Sequence, residues 1–161
     1  MSTMPAAGDP APDFALPDET GAVHRLSEQR AWMVVYFYPK DDTPGCTEEA
    51  CDFRDLNADI VAAGATVWGI SPDDAASHGH FRAKFHLTFP LLSDEDHGTA
   101  EAYGAWVEKS KYGRTYMGVQ RSTFLIGPDG RIAHAWPKVK AEGHAEDVVR
   151  TLAAARGARG A

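Results

Sequence analysis

Apolar residues fall into short runs along this chain, and their spacing sorts it into strands and helices. Residues 32–38 (WMVVYFY) form a near-continuous apolar run with β-branched and aromatic members, the pattern of a central strand buried on both faces. After Cys46 the period changes: Phe53, Leu56, Ile60 and Val61 are spaced for one face of a helix that ends near Gly64. Residues 66–71 return to strand character. Strand, helix and strand within about 40 residues make a βαβ unit, so the two strands are predicted to run parallel.

Further along, 74–85 reads as a second helix with Phe81 and Phe85 on its apolar face, 89–92 as a short extended segment and 99–103 as a helical turn. Residues 108–118 are polar and glycine-punctuated, and are read as a loop. Residues 122–126 and 131–136 flank Gly127-Pro128-Asp129-Gly130, which predicts a hairpin. A last helix covers 144–155, and 156–161 are expected to fray. Ahead of the central strand, 14–16 and 23–26 are short strand candidates around the turn 17–21, and Ser27 starts a helical turn. Residues 1–12, rich in proline, alanine and glycine, read as a lead-in, with 1–8 loose. With no repeat and no linker, 1–161 is expected to be a single domain: α/β, a central mixed β-sheet flanked by helices.

Composition narrows the function classes. A chain of 161 residues, 43% hydrophobic, has the material for a sizeable core. Its net charge of −7 and the lack of a basic patch argue against nucleic acid or an anionic membrane surface as partner. No apolar run approaches a membrane span, and the N-terminal stretch has no signal-peptide pattern, so a cytoplasmic location is the expectation. Two cysteines in such a compartment form transient, catalytic disulfides more readily than structural ones. Seven histidines show no metal-ligand spacing, and none of the chemistry below calls for a metal.

Both cysteines lie in one stretch, 39–51 (PKDDTPGCTEEAC). Thr43-Pro44 reads as an N-cap followed by proline at the first helical position, which puts Cys46 in the opening turn of a helix. Free N–H groups and the positive end of the helix dipole favour an anion there, and the thiolate is the nucleophilic form of cysteine. Cys51, five residues on, supplies a second thiol. Residues five apart in an intact helix have Cα atoms roughly 8 to 9 Å apart, beyond the about 7 Å a disulfide tolerates. The two can bond only if the helix start, about residues 44 to 54, remodels.

Pro39, Thr43 and Cys46, spaced Pro-x-x-x-Thr-x-x-Cys, resemble the active-site motif of the peroxiredoxins. The surrounding YFYPK and TPGCT, with Cys51 following, resemble the bacterioferritin comigratory protein or peroxiredoxin Q branch. Further similarity runs through GISPD (69–73), FPLLSDEDH (89–97), EKSKYGRTYMG (108–118) and RSTFLIGPDGRI (121–132). The resemblance implies a thioredoxin-like fold with an added N-terminal strand extension. It also implies a thiol peroxidase that reduces hydrogen peroxide and organic hydroperoxides without haem, metal or flavin. Such an enzyme is re-reduced by thioredoxin or a similar dithiol, and is often monomeric in this branch, so a monomer is the expectation.

By the same resemblance Cys46 is the peroxidatic cysteine and Cys51 the resolving one, which returns the sulfenic acid to a disulfide. Thr43, the backbone N–H groups near Gly45 and Cys46, and the Arg121 guanidinium position the peroxide, and Pro39 shields the thiolate. Glu49, three residues after Cys46 on the same helical face, would oppose a thiolate unless a cation compensates, and is a candidate to orient Arg121. Two other classes remain open: a thioredoxin-like disulfide reductase, weakened by the absence of Cys-x-x-Cys, and a peroxide sensor or holdase, weakened by the absence of an effector segment.

Overall fold

The computed structural model describes residues 4–160. Its centre is a five-stranded mixed sheet of β3 (Trp32–Phe37), β4 (Ala65–Ser71), β5 (Leu91–Ser93), β8 (Ser122–Ile126) and β9 (Ile132–Trp136), in the order β5-β4-β3-β8-β9. β3 pairs parallel with β4, as the βαβ pattern requires, and antiparallel with β8, while β8 and β9 form the antiparallel hairpin that the turn signal requires. Every residue of β3 is buried. Its side chains alternate between two cores because successive residues point to opposite faces. Val34, Tyr36 and Tyr38 meet α1 (Pro44–Ala62), α2 (Ala75–Phe85) and α4 (His144–Gly160) through Phe53, Ile60, Phe81, Val148 and Leu152. Met33, Val35 and Phe37 meet Phe14, Leu26, α3 (Gly98–Ala102) and Tyr103 on the other face.

Two small sheets complete the fold. β1 (Ala15–Pro17) and β2 (Val23–Arg25) form a short N-terminal hairpin. β6 (Trp106–Lys111) and β7 (Arg114–Val119) form a second, across the stretch read from sequence as a loop. Its polar composition hid it, because Lys111, Arg114, Thr115 and Tyr116 are solvent-exposed and leave little apolar alternation. The turn was legible: Tyr112 and Gly113 both have positive φ, 53° and 76°, the two-residue geometry that matches strand twist.

Three other expectations change. The lead-in is pinned from residue 4 onward: Gly8 N–H donates to the Ile132 carbonyl at 2.8 Å and Ala11 N–H to Gly130 at 2.9 Å. α4 continues to Gly160 where fraying was expected; the expected loose residues 1–3 and 161 lie outside those described. Val61 is 59% exposed, since the buried stripe of α1 runs through Ala50, Phe53 and Ile60 instead. Among the described residues, no helix is long and apolar enough to cross a membrane.

Candidate active site

The sheet brings the site together. β3 delivers the chain out of the core at Tyr38, a loop over 39–43 follows, and α1 opens with Pro44 at its first position. Cys46 therefore sits in the first turn, 1% exposed. Helix amides at this end have no acceptor within the helix, so the Gly45 and Cys46 N–H groups are open to an incoming oxygen. β8 lies antiparallel to β3 with Ser122 opposite Phe37. That register carries Arg121, the residue just before β8, to the end of β3 where α1 begins.

The Arg121 guanidinium forks between two side chains of α1. Nη2 donates to Cys46 Sγ at 3.0 Å, and Nη1 donates to Glu49 Oε1 at 2.6 Å. Cys46 and Glu49 are three apart on one helical face, which is why one planar fork reaches both. Gly45 makes room for it: a Cβ there would lie 3.2 Å from Arg121 Nη2. Glu49 is fully buried, and its Oε2 has no hydrogen-bond partner. Burial pushes the Glu49 carboxyl up to about 7, although the charge and hydrogen bond of Arg121 pull it back. Burial, with repulsion from Glu49 and Cys46, holds the Tyr36 phenol well above its usual range.

Lys109 of β6 adds a half-buried cation beside this cluster. Burial and the nearby Arg121 charge push its ammonium down, while Cys46 pulls it up. Sequence reasoning missed it because 108–118 read as a loop; the Tyr112-Gly113 turn was the available signal. His144, at the start of α4, packs edge-on against Phe53 and meets Thr123 Oγ1 at 2.8 Å. Burial is the main cause that brings its imidazole down to about 4; Arg121 adds to it and Asp147 opposes.

The remaining candidate residues frame the cluster. Pro39 is half-buried just beyond β3. Thr43 occupies the N-cap position, but its hydroxyl donates to the Lys40 carbonyl at 2.9 Å instead of accepting from a helix N–H, so the expected side-chain cap does not form. Cys51 lies more than a turn along the same unbroken helix, half-buried, and both cysteines are free. Burial, helped by Asp55 and Asp52 and opposed by Arg54, pushes the Cys51 thiol up.

Residues 7–135 match the model of the AhpC/TSA family. The chain is 45% identical over 146 residues to peroxiredoxin Bcp of Bacillus subtilis, covering 90% of this chain and 93% of the relative. It is 46% identical over 147 residues to peroxiredoxin Bcp of Escherichia coli K12, covering 91% and 94%. Among solved structures, the bacterioferritin comigratory protein of Xanthomonas campestris, studied for its alkyl peroxide reduction activity, superposes with a TM-score of 0.86 at 41% identity. That match covers 92% of this chain and 98% of the other.

Proposed function

The chain belongs to the AhpC/TSA family and is a thiol peroxidase of its Bcp, or peroxiredoxin Q, type; from that premise we propose how its own residues divide the work. Cys46 is the peroxidatic cysteine. Its thiolate attacks the nearer peroxide oxygen, the O–O bond breaks, and the departing alkoxide or hydroxide takes up a proton. Cys46 is left as a sulfenic acid. Cys51 then attacks the Cys46 sulfur, water leaves, and an intramolecular disulfide forms. A dithiol protein such as thioredoxin reduces that disulfide by exchange, and the cycle needs no haem, metal or flavin.

The observation that carries this reading is the Arg121 fork, with one nitrogen 3.0 Å from the Cys46 sulfur and the other on a buried carboxylate. Donors fixed at that distance can also stabilise charge building on the leaving oxygen. Glu49 keeps the guanidinium aimed. Thr43 and the Gly45 and Cys46 amides line the peroxide's approach, and Pro39 with the burial of Cys46 keeps water off the thiolate. Cys51, its thiol held up by burial, stays protonated until the helix opens. The proposal includes a cytoplasmic monomer.

The deciding experiment is steady-state peroxide consumption with thioredoxin, its reductase and NADPH, across hydrogen peroxide and several organic hydroperoxides. Insulin-disulfide reduction is measured in parallel. Peroxide turnover without insulin reduction is expected. The reverse would make the protein a disulfide reductase.

A further inference from the structure

The loop that launches Cys46 is held by a buried polar hub that the chemistry above does not use. Asp41, 6% exposed, accepts three hydrogen bonds on its carboxylate: Tyr38 Oη at 2.6 Å, Ser77 Oγ at 2.8 Å and His78 Nδ1 at 2.7 Å. Its backbone N–H donates to Asp73 Oδ2 at 2.8 Å, and Asp73 in turn accepts from Ser71 Oγ at 2.7 Å. His78 is fully buried, and its second nitrogen meets the Leu92 carbonyl of β5 at 3.0 Å. One residue on, Asp42 takes a left-handed backbone, φ 57°, and accepts from Lys84 Nζ at 2.8 Å.

Every tertiary side-chain partner named here for 41 and 42 comes from α2 or the turn before it. Asp41, Asp73 and His78 carry ligand-type atoms within 4.8 Å of one another, and the hydrogen bonds among them and to Ser71 and Ser77 tie the loop to α2 as a strut. The strut fixes Lys40, whose carbonyl anchors Thr43, whose own carbonyl accepts the Thr47 N–H at 2.8 Å and so sets the first turn around Cys46. A left-handed non-glycine turn persists only where its surroundings over-determine it.

We propose that Asp41 and His78 are positioning residues for the peroxide step, a buried strut from α2 that sets the 39–43 loop and with it the first turn carrying Cys46. The inference rests on the assignment of Cys46 as the attacking residue. It implies a split between two reactions of one sulfur. Alkylation by iodoacetamide needs only the thiolate. Peroxide reduction also needs the Thr43 hydroxyl and first-turn amides in place, and small misplacements of such a frame cost about a hundredfold.

The test compares His78→Gln with His78→Asn. A glutamine amide stands in for Nε2 and keeps the Leu92 contact; an asparagine amide stands in for Nδ1 and keeps the Asp41 contact. We expect His78→Gln to slow the single-turnover reaction with hydrogen peroxide by about a hundredfold while iodoacetamide alkylation of Cys46 stays within about threefold. His78→Asn should stay near wild type in both. Equal peroxide rates for the two variants, or a parallel fall in peroxide and iodoacetamide rates, would overturn the strut. If His78→Gln does not fold, Ser77→Ala removes a half-buried donor from Asp41, and the same split is expected at about tenfold; its absence also overturns the proposal. Failure of the underlying assignment looks different: peroxide consumption would survive Cys46→Ser.

Discussion

Replacing Arg121 with alanine perturbs rate and stability together, and each effect has a size. The rate effect comes from losing a donor 3.0 Å from Cys46 Sγ. Removing one preorganised donor of this kind costs about a hundred- to a thousandfold. The stability effect runs through Glu49. Its carboxyl titrates at about 7 in the fold against an ordinary value of 4.5, so between those values the folded protein holds a proton that the unfolded chain has released. Stability therefore falls as pH rises through that window, by about 3 kcal/mol at 1.36 kcal/mol per pH unit. Arg121 is what limits the rise. Without it the window extends upward, and the added penalty from Glu49 is near zero at pH 5 and grows above pH 7 to at most about 1.4 kcal/mol by pH 8, at 1.36 kcal/mol per pH unit. Arg121→Lys should restore stability better than rate, because it keeps the charge and loses the fork. Arg121→Ala combined with Glu49→Gln should remove the part of the pH dependence that Glu49 contributes while leaving the rate low. Stopped-flow reaction with peroxide and urea unfolding at both pH values are the measurements. A variant that reacts within a few-fold of wild type, or whose unfolding midpoint drops equally at pH 5 and pH 8, would refute the reasoning.

Cys46→Ser should abolish peroxidase activity, because a hydroxyl at neutral pH is a far weaker nucleophile than a thiolate; a coupled thioredoxin assay reads it directly. Cys51→Ser should consume one equivalent of peroxide and stop at the sulfenic acid, and full thioredoxin-dependent turnover would remove Cys51 from the resolving role. Amide exchange over residues 44 to 54 should be slow in the reduced protein and fast in the oxidised one; equal protection in both states contradicts a remodelled helix start. His144 should contribute an acid limb of opposite sign to that of Glu49. Its imidazole, at about 4 in the fold against 6.5, leaves the folded protein short of a proton between those values, so stability falls as pH drops through that window, by up to about 3 kcal/mol. The two limbs oppose each other over about pH 4.5 to 6.5, so urea midpoints for His144→Gln should fall as pH rises across this range, more steeply than in wild type; a pH profile identical to wild type would contradict the His144 contribution.

The parts of this fold legible in the sequence are those where one physical signal dominates. The run at 32–38, with its β-branched and aromatic members, read as a doubly buried strand, and Thr43-Pro44 marked the helix start that places Cys46. Where two signals compete, the reading failed. The β6–β7 hairpin has polar strands, so turn chemistry at Tyr112-Gly113 was the only clue, and without that hairpin Lys109 could not be placed near Cys46. Thr43 was legible as a cap by residue type, but a hydroxyl chooses among local acceptors and amides, and here the Lys40 carbonyl won. Asp41 and His78 lie 37 positions apart, and no spacing rule links a loop residue to a helix that packs beside it.

The first turn of α1 is weakly held by local means. Its N-cap hydroxyl is turned away, Pro44 brings no N–H, and no acidic side chain complements the dipole there. Besides the Asp41 strut upstream, what fastens it is the Arg121 fork, one arm on Cys46 and one on Glu49. Reaction at Cys46 changes the sulfur on one of those arms, because a sulfenic acid carries an oxygen that the unreacted side chain does not. The contact that organises the turn for attack is therefore altered by the attack itself, when roughly 8 to 9 Å between Cα atoms must close to within about 7 Å for the disulfide. Farther along, beyond residue 54, Ile60 is fully buried in the same core as Val148 and Leu152 of α4. Upstream, the Asp41 hub hangs on α2 and does not involve the sulfur. The segment free to move is thus bounded at both ends by contacts the chemistry leaves intact, and both cysteines lie within it.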